Sequence, residues 1–114
     1  MLKVRVEDLG EVVILHCSGR IVRGAETAIL CAAVRQHGRN ITLDLGKVDA
    51  IDAAGIGLLV SLQAAGIYLK LTDPTQHVRD VLRVTELDSV FEISEAQNAN
   101  HVLKVDFGSP VAGL

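Results

Sequence analysis

The sequence predicts a single α/β domain, on three observations. Short apolar runs of strand formers alternate with segments of helical period, the first two runs lie close enough to pair as a hairpin, and a strand-helix-strand unit reads as a parallel crossover. A length of 114 residues encloses one core and is too short for two. With 49% apolar and 22% charged residues, the chain has the balance of a globular protein rather than a disordered or fibrous one.

The elements follow in order. Leu2, Val4 and Val6 alternate with Lys3, Arg5 and Glu7, the two-residue period of a strand with one wet face, which places it at an edge or on a half-exposed face. Gly10 and Glu11 supply a turn, and Val12 to Cys17 runs on as a second strand ending at Ser18-Gly19, which makes a β-hairpin. After Gly24, the residues Ala25, Ala28, Ile29 and Ala32 recur at helical spacing, and Gly38 is a natural stop for this first helix. Ile41 to Leu45, bounded by Asn40 and Gly46, has no helical period and predicts a strand buried on both faces.

Asp52 can cap a second helix that runs to Ala65; Gly66 breaks it, and Ile67 to Leu71 forms the next strand through a right-handed parallel crossover. Pro74 suits the first position of a third helix with Val78, Val81, Leu82 and Thr85 on one face. Val90 to Ile93 reads as the last strand. Ser94 to Leu103 predicts a final helix capped by Ser94, and the composition from Gly108-Ser109-Pro110 onward is that of a tail. The domain is therefore expected over 1–105 and the tail over 106–114.

Several function classes are disfavoured. An aromatic share of 3%, no Trp, a net charge of −3 and singly scattered basic residues give no footprint for nucleic acid. Met1 to Gly10 alternates charged and apolar residues, unlike a signal peptide, and the most apolar stretch, Ala53 to Leu62, is far short of the roughly 20 residues that span a bilayer. A cytoplasmic protein with no direct membrane insertion is expected. Cys17 and Cys31 lack ligand spacing and read as reduced, buried thiols.

His16, His37, His77 and His101 stand at no ligand interval, so no metal is expected, and they read as surface or strand residues. A turn residue and a helix cap account for Asp49 and Asp52 without a catalytic carboxylate pair. Ser18 and Ser61 lie in no nucleophile motif, and no acid/base couple is visible. The chain reads as a binding protein without cofactor rather than an enzyme.

The informative segment runs from Asp44 to Leu62. A helix starting at Asp52 offers unpaired amide hydrogens and a positive dipole end, which stabilise negative charge in the first turn, and glycine there lets another backbone come close. Between Ile56 and Ala65 only Ser61 and Gln63 are polar. A helix apolar almost all round must be covered on most sides, either by its neighbours or by a partner.

Leu43-Asp-Leu followed by Ile51-Asp-Ala-Ala-Gly-Ile-Gly-Leu-Leu resembles the STAS signature of a strand, an Asp-Ser-Ser-Gly-Leu-Gly turn and a helix. Leu71 to Ile93 resembles the family's third helix and closing strand, and Gly19-Arg-Ile-Val-Arg-Gly fits after the second strand, so the resemblance covers about Val4 to about Ile93 in order. It implies a STAS-like mixed sheet of about five strands with three to four helices packed mainly on one face. It also implies an anti-sigma-factor antagonist that binds an anti-sigma factor of the serine-kinase type and so frees a sigma factor, until phosphorylation of a serine at the start of the second helix ends the binding.

The position equivalent to that phosphoacceptor is Ala53, and the next is Ala54, so neither accepts phosphate. Ser61, the nearest hydroxyl in the helix, lies about two turns along. The resemblance places partner binding at Asp52, Ala53, Ala54, Gly55 and Ile56. Arg20 and Arg23, flanking the turn after the second strand, are candidate contacts to an acidic partner, though solvated loop charges are commoner. Two other STAS roles stay open: an accessory subunit on the cytoplasmic ATPase of a lipid ABC transporter, and a self-assembling scaffold, which leaves room for a homo-oligomer.

Overall fold

The computed structural model describes residues 1–95 of the chain. Its elements are β1 (Leu2–Asp8), β2 (Val13–Ile21), α1 (Ala25–Gln36), β3 (Asn40–Ile51), α2 (Ala53–Ala64), β4 (Tyr68–Thr72), α3 (Gln76–Val84) and β5 (Glu92–Ser94). The sheet order is β1-β2-β3-β4-β5, with β1 antiparallel to β2 and every later pair parallel. This is the expected mixed α/β architecture.

The hairpin forms as its sequence predicts. Gly10 at φ 94° donates its amide to the Asp8 carboxylate, and Leu9 donates to the Val12 carbonyl. β1 is an edge strand whose inward stripe fades from buried Leu2 to Val6, 41% exposed. β2 does not end at Ser18-Gly19. Gly19 at φ 113° carries it on to Ile21, passing so close to β1 that a Cβ there would lie 2.1 Å from the Met1 carbonyl oxygen.

β3 is also longer than its apolar run, continuing through Gly46 to Ile51, and it is not buried on both faces. Ile41, Leu43 and Leu45 are buried, whereas Thr42 and Asp44 between them are half-buried. The same alternation marks Val13, Leu15 and Cys17 in β2 and Leu69 and Leu71 in β4. Among the described residues, one face of the sheet is thus covered, and the other is polar and open.

The described helices all feed the core on that covered face. Leu30 and Val34 of α1, Ile56, Leu59 and Leu62 of α2, and Val78 and Leu82 of α3 join the sheet's leucines in one cluster. The inward stripe of α1 differs from the small-residue stripe Ala25, Ala28, Ile29, Ala32, which faces solvent with Ile29 44% exposed. Burying Leu30 and Val34 removes more apolar area than burying alanines would, so they take the inner side.

α3 begins at Gln76 rather than at Pro74, because the Thr75 hydroxyl caps it, accepting from the Val78 amide while donating to the Val48 carbonyl at 2.7 Å. Thr85 lies past the end of the helix, its hydroxyl bonded to the Val81 and Leu82 carbonyls. Ser94 is the last residue of β5. The rest of the helix expected over 94–103, beyond Glu95, and the tail expected over 106–114 lie outside the described residues.

Candidate partner-docking site

The junction of β3 and α2 is built around Asp52. Its backbone is extended, with φ −112° and ψ −175°, and its amide donates to the Ile21 carbonyl at the end of β2. One carboxylate oxygen accepts from the Gly55 amide at 2.9 Å and the other from the Arg23 amide at 3.0 Å. Asp52 therefore caps α2 and also ties it to the loop ahead of α1. The Arg23 amide, then the Gly55 and Ala54 amides, hold its carboxyl below the usual carboxylate range against a small desolvation penalty.

Gly55 shows why the turn requires glycine. A Cβ there would lie 2.3 Å from the Ile21 carbonyl oxygen and 2.8 Å from the Ile51 side chain, so α2 can approach the ends of β2 and β3 only without one. At Gly57 a Cβ would meet nothing within 4 Å. The two glycines of one motif thus do different things, one packing inward and the other facing water.

Of the residues the resemblance singles out, Ala53 is exposed and Ala54 half-buried, but Gly55 and Ile56 are buried. Those two support the surface and do not form it, because Gly55 turns toward Ile21 and Ile51 and Ile56 belongs to the buried core. Arg20 and Arg23 are exposed beside the junction, and the Arg23 main chain is bound to Asp52.

On its outer side α2 shows Ala53, Gly57, Val60, Ser61 and Ala64, spaced as one stripe over its whole length, with Val60 37% exposed. Among the described residues, the helix is therefore covered on one side only. α1 packs against it and shows small apolar residues of its own outward. Ser61 is the one hydroxyl on this stripe, and it stands two turns from the capped end of α2.

A second cluster escaped the reading of the sequence. His16 bonds Asp44 through Nδ1 at 2.7 Å and Glu7 through Nε2 at 2.8 Å, across β1, β2 and β3 on the open face. A carboxylate on each nitrogen favours the protonated imidazole. The Glu7 bond first and the Asp44 bond second raise the His16 pKa, against desolvation and the nearby Arg5 charge. This corrects the expectation of no acid/base couple in composition but not in chemistry, since neither ring nitrogen is free to act as a base.

The hairpin turn fixes Arg5 opposite His16, a signal present in the sequence; the Asp44 contact depends on the parallel register of β2 and β3, which no local signal encodes. Cys17 is buried, which pushes its thiol up to about 12, while Cys31 is half-buried, its sulfur accepting from the Arg35 guanidinium. No described helix is long and apolar enough to cross a membrane.

Comparison with known proteins gives a consistent picture. A family profile described as Mlab, STAS domain, matches residues 4–108. A Bordetella bronchiseptica protein named as a candidate anti-sigma factor antagonist, BtrV, is 31% identical over 94 residues, covering 75% of this chain and 81% of its own. A crystal structure of a candidate anti-sigma factor antagonist from Thermotoga maritima superposes with a TM-score of 0.71 at 23% identity, over 86% of this chain and 92% of that one. The anti-sigma factor antagonist SpoIIAA in its unphosphorylated form superposes at 0.62 with 19% identity, over 90% and 96% of the two chains. At these identities the solved structures bear on the fold.

Proposed function

The chain belongs to the STAS domain family, and from that premise we propose that it is an anti-sigma-factor antagonist whose docking surface is the outer stripe of α2, permanently in its binding-competent form. The observation that carries this reading is the exposed small-residue stripe beginning at Ala53, directly after the Asp52 cap. Small apolar side chains let a partner come close to the helix, and burying them on binding is favourable. Exposed Arg20 and Arg23 beside the stripe suit an acidic rim on the partner.

The partner proposed is an anti-sigma factor of the serine-kinase type, met in the cytoplasm. Where a related antagonist would carry an acceptor serine, Ala53 and Ala54 offer no oxygen. Binding is then governed by abundance and competition rather than by phosphorylation at this turn. The same alanines favour a second reading, an accessory STAS subunit on a lipid-transporter ATPase, which needs no phosphate switch.

Affinity capture with mass spectrometry, followed by calorimetry on the captured partner, tests both readings. The parent chain should capture an anti-sigma kinase, and Ala53→Asp should bind it at least about tenfold more weakly, equivalent to ~1.4 kcal/mol. An acidic residue in the first turn favours the helix, so weakened binding would not reflect unfolding. Equal affinity of the two chains would remove the stripe as the docking site. Capture of a transporter ATPase would replace the first reading by the second.

A further inference from the structure

The open face of the sheet carries a concentration of cations that the docking surface does not use. Lys3 on β1 stands directly opposite Ser18 on β2, which stands opposite Lys47 on β3; in the adjoining row Arg5 stands opposite His16, and His16 opposite Asp44. These six residues line a cleft of about 210 Å³. Lys3, Arg5, Ser18 and Lys47 are all exposed, and among the described residues Lys3, Arg5 and Lys47 enter no salt bridge. They gather on a chain whose net charge is −3.

Protection of an edge strand would account for Lys3 and Arg5. It does not account for Lys47, which lies on the central strand. In a regular ladder continuing from His16 opposite Asp44, Ser18 would face Gly46, and Lys47 would point into the core. A register shift between His16 and Ser18 places Lys47 opposite Ser18 instead, and Val48 takes the buried position. Asp44 holds this irregularity, one carboxylate oxygen accepting from the Gly46 amide at 3.0 Å and the other bonded to His16. Asp44, the one carboxylate lining the cleft, is thereby turned to the Gly46 amide and the His16 ring, whose other nitrogen is taken by Glu7, so Lys3, Arg5 and Lys47 are left unpaired beside two carboxylates that have partners of their own.

We propose that this cleft is an anion site for a phosphate-class group, with Lys3, Arg5 and Lys47 as its charges and the Ser18 hydroxyl as a central donor. Flexible ammonium groups from strands on either side of Ser18 can converge on one tetrahedral anion, and the Arg5 fork supplies parallel N–H donors. Lys47 also borders a larger cleft, of about 410 Å³, toward Asp73, Arg79 and Glu95. There Arg79 is paired with Glu95, and the mixed signs favour no single ion.

The test is a titration of the whole chain with inorganic phosphate and, separately, with glycerol 3-phosphate, each against chloride at matched ionic strength, read by backbone amide NMR. Saturable shifts confined to residues 3–5, 16–18 and 46–48 are expected, with Lys47→Gln about fivefold weaker and Lys3→Gln/Lys47→Gln losing saturation. Tighter binding of glycerol 3-phosphate would identify an organic phosphate as the ligand, and equal binding the bare anion. Shifts that never saturate, that chloride reproduces, or that Lys47→Gln leaves unchanged would overturn the site. Amide positions in the core report whether each variant is folded.

Discussion

On the covered face of the sheet, Leu15, Leu43, Leu69 and Leu71 interlock with three helices, and the tightest contacts are backbone approaches such as Gly55 on Ile21. On the open face, one residue along the same strands but pointing the other way, His16 and Asp44 meet Arg5 and Lys47 as charges beside water. Packing is short-ranged and indifferent to pH, whereas the charge cluster depends on protonation and on salt. Stability should therefore reside on one face and tunability on the other.

Neighbours in the chain test that division most strongly. Leu43→Ala should cost about 3 kcal/mol by urea denaturation, from lost burial plus a cavity. Thr42→Ala, one residue away on the open face, should cost under about 1 kcal/mol. Equal losses would show that the open face is packed against something. Next in size, Gly55→Ala should cost about 1–3 kcal/mol by forcing α2 off the ends of β2 and β3, while Gly57→Ala should raise the melting temperature through helix propensity worth ~1 kcal/mol.

A smaller effect separates the cap from the packing around it. Asp52→Ala should lower the melting temperature at neutral pH, by less than Gly55→Ala does. The carboxyl is held below its ordinary pKa of 3.8, so its contribution is present above that value and is lost as pH falls through the lower folded pKa. The variant should accordingly lack that part of the parent's acid sensitivity. The smallest effect is at His16, whose pKa is raised above 6.5. Its stabilisation is complete below 6.5 and is lost as pH rises through the folded pKa, under about 1 kcal/mol in all, and His16→Gln should flatten this alkaline slope.

The division between faces also marks what was legible in the sequence. The hairpin, the Asp52 cap and the parallel strand after Gly66 announce themselves through turn chemistry and period, and the signature around Ile51 to Leu59 identified the family. The length of β3 was not legible, because Gly46-Lys47 looks like a stop until a register shift in the ladder with β2 absorbs it. α1 carries two apolar stripes, and only the size of the space beneath it selects Leu30 and Val34 over the alanines. The glycines at 55 and 57 look alike in the motif, and only the place where Ile21 ends tells them apart. The His16 cluster needs three strands in register before it exists.

The strand order carries one more consequence, for how the molecule is made. Each strand of the described sheet pairs only with the strands just before and after it in the chain, so no strand must be threaded between two that are already in place. During synthesis the hairpin can close from local contacts as soon as it leaves the ribosome, and every later strand adds to the edge laid down last. The growing sheet then has a single advancing edge, and the segment most exposed to mispairing at any moment is the one most recently translated.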